Sequence, residues 1–138
     1  MTSVTHFRDA LFKKDDLARL CLDVLYKNRK IGRLQLHEFV LMPDHFHLIL
    51  TPAADIPLER ALQCIKGGYS FRVKRELRFK GLPWEEGFKN HRIRDFDDYQ
   101  RHREYIHQNP VEAGLVKKPA EYPYSSAHPG FDLDPRPP

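Results

Sequence analysis

Two histidines separated by a single residue, His45 and His47, are the first feature of the sequence that could do chemistry. They fall in an apolar run typical of a β-strand, in which alternate side chains point to the same face. Both imidazoles therefore project to one side, where they can reach one metal ion, while Phe46, Leu48 and Leu50 project into the core. The pair alone is weak evidence for a metal site, because histidines in strands are also common as partly buried polar residues.

The basic residues of the chain concentrate in its middle. The net charge is +4, and residues 66–103 hold eleven basic and six acidic residues. Aromatic residues are interleaved with these cations, which is typical of surfaces that neutralise phosphates and stack on bases, although a solvated helix face has the same composition. We predict that nucleic acid is bound by the following residues: Lys66, Arg72, Lys74, Arg75, His91, Arg92 and Arg94.

Length and composition narrow the class of protein. The 138 residues include 16 aromatic side chains, enough for one domain with a packed core. Residues 39–50 form the longest strongly apolar run, which charged and polar residues interrupt, so no membrane span is expected. The two cysteines suggest core thiols rather than a disulfide or zinc framework. With no secretory signal visible, we expect a cytoplasmic protein without membrane contact.

The hydrophobic periodicity predicts alternating strands and helices. A short strand at residues 2–6 precedes a helix that begins near Asp15 and ends before Gly32. Two strands joined at Pro43 and Asp44 form a hairpin. A second helix runs from Leu58 to about Phe79, one or two short strands follow, and a third helix is capped by Asp95 and ends at Asn109 because Pro110 follows.

This order predicts the fold class and the domain limits. It is typical of an α+β fold, a ferredoxin-like split βαβ antiparallel sheet with an added C-terminal helix. Six of the eleven prolines fall in the last 20 residues, which favours an extended strap with a frayed end. We therefore place one domain at residues 1–127 and a proline-rich flexible tail at 128–138.

The sequence resembles the REP-associated tyrosine transposases, within the HUH single-tyrosine transposase family. The resemblance lies in the segments Met42-Pro43-Asp44-His45-Phe46-His47-Leu48 and, about sixty residues later, Tyr105-Ile106-His107-Gln108-Asn109-Pro110. His45-Phe46-His47 matches the HUH motif, in which an apolar residue separates two metal-binding histidines. Tyr105 lies where that family has its nucleophile. The two motifs in this order and at this spacing are specific, whereas either one alone is not.

The resemblance implies a mechanism as well as a fold. It implies metal-dependent cleavage of single-stranded DNA beside a hairpin, with Tyr105 as the catalytic residue, a covalent 5′-phosphotyrosyl intermediate and transfer of the cut strand. The partner would be single-stranded or hairpin DNA, and the chain would act as a monomer, with a dimer still open. Arg101 and His102, one turn before Tyr105, are candidates for promoting its deprotonation.

The metal ligands follow partly from the helical spacing. Asn109 lies one turn after Tyr105 on the same helix face, so its amide oxygen can join His45 and His47 around one ion. Many members of the family have a glutamine here, and Gln108 or a water could take the place of Asn109. A site with nitrogen and oxygen ligands suits Mg²⁺ or Mn²⁺, although histidine also suits zinc.

Three other functions remain compatible with the sequence. The chain could be a domesticated DNA-binding protein of the same fold that no longer cuts. It could be an RNA-binding α+β domain, since ferredoxin-like sheets can stack bases. It could also be a small metallohydrolase that uses Asp44 with His45 and His47. A covalent protein–DNA adduct would separate all three from the transposase.

Overall fold

The computed structural model describes residues 2–6, 11–80, 83 and 89–136 of the chain. The helices and strands follow one another as β1 (Thr2–His6), α1 (Asp15–Lys30), β2 (Leu34–Met42), β3 (His45–Pro52), α2 (Leu58–Glu76), β4 (Lys89–His91) and α3 (Phe96–Glu112). Short 3-10 turns lie at Leu11–Lys13 and Pro119–Glu121. Among the described residues, no helix is both long and apolar enough to cross a membrane. Residues 84–88, part of the predicted strand region, lie outside the described residues.

The four strands form one antiparallel sheet in the order β2-β3-β1-β4. This is the order of a split βαβ unit, because β3 lies between β1 and β2, the strands that α1 connects, and β1 lies between β3 and β4, the strands that α2 connects. The apolar sides of α1 and α2 cover one face of the sheet, and α3 covers the other face with a smaller cluster. The predicted ferredoxin-like α+β fold is confirmed.

A bulge in β2 determines which residues of this strand face each of the two helical layers. The register of the pairing with β3 shifts between Leu36 and Glu38, so that no β3 residue lies opposite His37 in the backbone pairing. A bulge adds one residue to one strand and changes which face the following residues occupy. As a result, both Leu36 and Phe39 pack under α1 and α2, and Val40 packs under α3.

Two helix ends differ from the predictions. Helix α2 ends at Glu76 rather than near Phe79. Two residues after Glu76, Arg78 adopts a left-handed φ of 55°, which turns the chain away from the helix axis. Helix α3 continues through Pro110 to Glu112. A proline near the end of a helix removes one backbone hydrogen bond and leaves the later ones intact. Gly114, two residues after the last helical residue, has a φ of 76°, which permits the turn that closes the helix.

The C-terminal segment lies along the outer edge of the sheet. Leu41 donates its amide to the Tyr124 carbonyl at 2.8 Å, and Asp134 and Leu36 bond through both backbone and side chain. Asp134 also pairs with Arg29 at 3.0 Å, and the Phe131 ring packs on Phe39. The predicted extended strap is thus seen, and it covers the edge strand β2, which would otherwise present unpaired backbone groups. The domain boundary at 127 and the flexibility beyond it stay predictions, although these contacts tie residues 131–134 to the domain.

Candidate active site

The pleat of β3 places the two histidines as their spacing predicts. Phe46, Leu48 and Leu50 are fully buried in the cluster beneath α1 and α2. His45 and His47 therefore occupy the opposite face of the strand, the face covered by α3. The strand is apolar on one side and presents two imidazole side chains on the other.

His47 is the more deeply buried of the two histidines, with 5% of its surface exposed. Burial, together with the neighbouring His102 and His45 imidazoles, lowers the pKa of His47 to about 4. The ring is therefore neutral at pH 7, as a metal ligand must be. Its Nε2 atom is buried and has no hydrogen-bond partner among the described residues, an arrangement that is costly unless something else binds there.

His45 is held by the residue before it. Its Nδ1 atom lies 2.8 Å from Oδ1 of Asp44 in the β2–β3 turn. A carboxylate can only accept, so Nδ1 donates and the lone pair of the neutral ring lies on Nε2. A carboxylate that orients a histidine in this way is common around metal sites. Asp44 thus contacts His45 rather than presenting itself as a third ligand, which argues against the metallohydrolase alternative.

Tyr105 lies on α3 directly beside His47. The two ring centroids are 5.4 Å apart, and 53% of the Tyr105 residue is exposed. An exposed phenol next to a buried imidazole is accessible to a large substrate while staying close to any ion on that imidazole. Tyr99, another tyrosine of α3, is buried in the smaller cluster between this helix and the sheet, and burial raises its pKa.

A buried carboxylate fixes α3 on the sheet and so sets the position of Tyr105. Glu38 of β2 accepts hydrogen bonds from His107 at 2.6 Å and from Ser126 at 2.8 Å. Its second oxygen lies 3.5 Å from Arg103. Hydrogen bonds to the charged form favour ionisation, and they lower the pKa of Glu38 although burial acts in the opposite direction. Because Arg103 and His107 flank Tyr105 on the helix, these bonds hold the segment that carries Tyr105 against the strand.

The candidate ligand residues fit the divalent ion that the resemblance implies. Asn109 has a buried amide nitrogen, Nδ2, without a hydrogen-bond partner among the described residues. Rotation of the amide by 180° would place its oxygen at that buried position, because the two atoms differ little in shape. Two imidazoles and one amide oxygen form a donor set for Mg²⁺, Mn²⁺ or a transition metal.

A further cluster of ligating groups lies next to His47. Nε2 of His91 lies 2.9 Å from Asp98, and Nε2 of His102 lies 3.5 Å from the other oxygen of the same carboxylate. The His102 ring centroid is 4.7 Å from that of His91 and 6.1 Å from that of His47. The hydrogen bond from His91 lowers the pKa of Asp98 well below its usual range, and burial lowers the pKa of His102. His91, which the sequence predicts to contact phosphate, is bonded to Asp98, and its contact with DNA stays a prediction.

The predicted DNA-binding residues do not form one surface. Four of them lie on α2, across the sheet from α3 and the histidine pair: Lys66, Arg72, Lys74 and Arg75. Arg72 is engaged by Glu76 at 2.6 Å and lies 3.9 Å from Asp23. Arg92 and Arg94 precede α3, and among the described residues neither forms an ion pair. Whether each residue binds DNA stays a prediction.

Arg92 and Arg94 line a cleft beside the start of α3. The cleft has a volume of about 610 Å³ and includes Phe96 and Arg136 in its wall. Phe96 is 48% exposed, and the Arg136 guanidinium lies 4.3 Å from the centroid of its ring. Exposed arginines and an aromatic ring form the kind of surface on which single-stranded nucleic acid stacks.

Sequence reasoning missed Glu38 and Asp98. The spacing of Asp98 and His102 by four residues on a predicted helix could have indicated a shared face. No comparable signal identifies Glu38, because its partners lie 69 and 88 residues away along the chain.

Comparison with known proteins assigns the family. The sequence model described as "Transposase IS200 like" matches residues 1–109. The chain is 32% identical over 105 residues to a REP-associated tyrosine transposase of Escherichia coli, covering 75% of this chain and 61% of that protein. It is 31% identical to a candidate REP-associated tyrosine transposase of Haemophilus influenzae over 99 residues, covering 64% of this chain and 56% of that protein.

A solved structure supports both the fold and the family resemblance of this chain. It is described as a REP-associated tyrosine transposase bound to a REP hairpin, and it superposes with a TM-score of 0.77 at 25% identity, covering 92% of this chain and 75% of that one. The chain spans about three fifths of the length of the curated relatives that it matches. The predicted resemblance is confirmed, and the chain belongs to the IS200-like transposase family.

Proposed function

We propose that this protein cleaves single-stranded DNA beside a hairpin and transfers the cut strand, with Tyr105 as the nucleophile. The observation that carries the proposal is the contact of Tyr105 with His47. An exposed phenol lies against a buried, neutral imidazole whose Nε2 has no partner among the described residues. The hairpin in the related complex supports the same class of substrate.

His45, His47 and Asn109 would hold the divalent cation, Mg²⁺ or Mn²⁺. Such an ion, when bound, supplies Lewis-acid polarisation of the scissile phosphate and neutralises part of its charge. His47 contributes its buried Nε2, and Asp44 keeps the Nε2 lone pair of His45 directed away from the turn. Asn109 is the proposed third ligand, and Gln108 or a water molecule is the alternative.

The reaction is a phosphoryl transfer that conserves the phosphodiester energy. The Tyr105 oxygen attacks phosphorus and loses its proton, a new P–O bond forms to tyrosine, and the bond from phosphorus to the 3′-oxygen breaks. The 3′-oxygen takes up a proton and leaves as a hydroxyl. A 3′-hydroxyl can later attack the phosphotyrosine in the reverse sense, so joining requires no nucleotide cofactor.

The chain positions the substrate through two features of the α3 side. Glu38 holds the middle of α3 on the sheet, so that Tyr105 approaches the phosphate from a fixed direction. The cleft between Arg92, Arg94 and Phe96 can bind the strand next to the cut, with the guanidinium groups on phosphates and the ring against a base.

The test is a covalent adduct on a denaturing gel. An oligonucleotide with a hairpin and a single-stranded flank carries its label at the 3′ end, because tyrosine retains the 5′-phosphate of the downstream strand. The wild-type chain with Mn²⁺ should give a labelled protein band. Tyr105→Phe keeps the ring and its packing, so it should fold and bind DNA but form no adduct.

Two matched variants separate the alternatives. Tyr99→Phe changes a buried tyrosine two turns earlier on the helix and should still form the adduct, whereas the double variant His45→Ala/His47→Ala should not. An adduct from Tyr105→Phe would show that another tyrosine is the nucleophile. Tight hairpin binding by the wild type without any adduct would indicate the domesticated, non-cleaving protein, and a preference for RNA would indicate the RNA-binding alternative.

A further inference from the structure

Three ligating side chains outside the proposed cleavage site meet where β4 faces the start of α3. His91 is contributed by β4, and Asp98 and His102 by α3, one helical turn apart. One ligand atom from each residue lies within 4.8 Å of the other two. Two independent elements thus bring two imidazoles and a carboxylate to a common point.

The spacing of these atoms approaches that of ligands around a single metal ion. In a tetrahedral zinc site with bonds of about 2.1 Å, neighbouring ligand atoms lie about 3.4 Å apart. The Asp98 oxygens are 2.9 Å from His91 and 3.5 Å from His102. Small side-chain rotations would therefore suffice to admit an ion.

The surroundings of the carboxylate favour a built site over an accidental cluster. The Asp98 side chain is 7% exposed, and it accepts the backbone N–H of Arg94 at 3.1 Å. Its own amide is bonded to Asp95, the cap of α3, at 2.8 Å. Bonds of this kind fix the direction of a ligating group. The His91 side chain is 37% exposed, which leaves one side of the cluster open to solvent.

We propose that His91, Asp98 and His102 form a second cation site, selective for a transition metal such as Zn²⁺ and distinct from the site of His45 and His47. Two imidazoles and one carboxylate are the ligand set that such metals prefer over Mg²⁺. With three protein ligands, the ion keeps at least one position for water. The site ties the edge strand β4 to α3, and it does not depend on the proposed cleavage reaction.

One neighbouring charge opposes the ion. Arg101 lies 3.3 Å from Asp98, but its side chain is 72% exposed, so it can move into solvent when a cation occupies the carboxylate. The Arg101 contact therefore reduces the affinity for the metal without blocking the site.

The experiment is a titration of the metal-free chain with Zn²⁺, followed by calorimetry. The variant His45→Ala/His47→Ala removes the first site, and we expect it to retain one bound Zn²⁺ per chain. Adding His91→Gln to this variant should weaken that remaining binding by at least about tenfold. His128→Gln, a change in the C-terminal segment outside the cluster, serves as the matched control and should leave the binding unchanged.

Folding is checked separately, because Asp98 also helps to form the start of α3. His91→Gln changes a residue on the edge strand and leaves the α3 cap intact, so it is preferred to Asp98→Asn. Its thermal unfolding in the presence of chelator should match that of the parent variant, while the rise in melting temperature with Zn²⁺ should disappear. A crystal of the zinc-loaded parent variant should show an anomalous peak among His91, Asp98 and His102.

Two results would overturn the proposal. One is a His45→Ala/His47→Ala chain that binds no Zn²⁺, since the cluster would then not hold an ion by itself. The other is equal Zn²⁺ affinity with and without His91. Neither result bears on Tyr105, whose adduct is measured in a separate experiment.

Discussion

At the scale of single residues, the proposed site carries groups that do not benefit the fold. His47 Nε2 and Asn109 Nδ2 are both buried without a partner among the described residues. An unsatisfied buried polar group costs about 1–3 kcal/mol of stability. Groups of this kind are retained where they have a function, and ligation of an ion would satisfy His47 and, after rotation of the amide, Asn109.

Replacement of Asn109 by leucine tests this interpretation. Leucine has nearly the same shape but no polar atoms, so the free energy of unfolding of Asn109→Leu should stay equal or rise by up to about 1 kcal/mol. Mn²⁺ affinity should fall by at least about tenfold, and adduct formation should be lost with it. Chemical denaturation and Mn²⁺ titration by electron paramagnetic resonance measure the two effects.

The neighbouring glutamine provides the control. Gln108, the residue before Asn109 on α3, is exposed. Gln108→Ala should therefore retain both metal affinity and cleavage. If instead Gln108→Ala loses Mn²⁺ and Asn109→Leu does not, the third ligand is Gln108. The sequence left this choice open, because helical spacing identifies a shared face but does not show which amide is buried.

At the scale of elements, the paired glycines of α2 have different roles. The sequence suggests a bend or a close approach at Gly67-Gly68, and the helix runs through both without interruption. A Cβ atom added at Gly67 would meet nothing within 4 Å, whereas one at Gly68 would lie 3.3 Å from Cγ1 of Val24 on α1. Only Gly68 therefore lies where the two helices pack closely.

The glycine pair predicts opposite outcomes for one substitution. Gly67→Ala should raise the free energy of unfolding by about 0.5–1 kcal/mol, because alanine loses less conformational entropy in a helix. Gly68→Ala should gain less or destabilise the protein, since Val24 must move to make room. Urea denaturation of both variants measures the difference. Equal gains at both positions would mean that α1 and α2 do not approach at Gly68 as the structure has it.

At the scale of the whole molecule, the sheet separates the basic residues into two groups. Lys74 and Arg75 are exposed on α2, on the far side of the sheet from Tyr105. Arg92 and Arg94 lie on the cleft that borders α3. A strand whose scissile phosphate reaches Tyr105 must run along the α3 side, so the second group is the better placed to contact it.

Charge variants distinguish the two groups. Arg92→Ala/Arg94→Ala should weaken binding of a hairpin oligonucleotide and reduce the slope of log affinity against log salt by about 0.7 for each phosphate that is no longer neutralised. Lys74→Ala/Arg75→Ala, the matched change on α2, should leave the slope nearly unaltered. Fluorescence anisotropy at several salt concentrations measures both. A larger loss of affinity from the α2 variant would place the DNA path on the opposite face.

Patterns of neighbouring residues sufficed to predict the elements and the local geometry of the candidate site. Hydrophobic periodicity and capping signals depend on nearby residues, so they predicted the order of strands and helices and the cap at Asp95. The strand pleat placed His45 and His47 on one face for the same reason. The predicted end of α3 was wrong because a proline rule based on neighbours did not include the closing turn at Gly114.

Contacts between groups that are distant in sequence depend on how the layers of the fold pack. Residues from different elements meet in the pairs Glu38–His107 and His91–Asp98 and in the contact of the C-terminal segment with β2. No local pattern encodes these contacts. The charge of residues 66–103 predicted a single DNA-binding face, and the sheet divides it because α2 and α3 pack on opposite sides. Burial also depends on the tertiary structure. Nε2 of His47 and Nδ2 of Asn109 lose contact with water, without gaining a partner among the described residues, only when the layers pack over them.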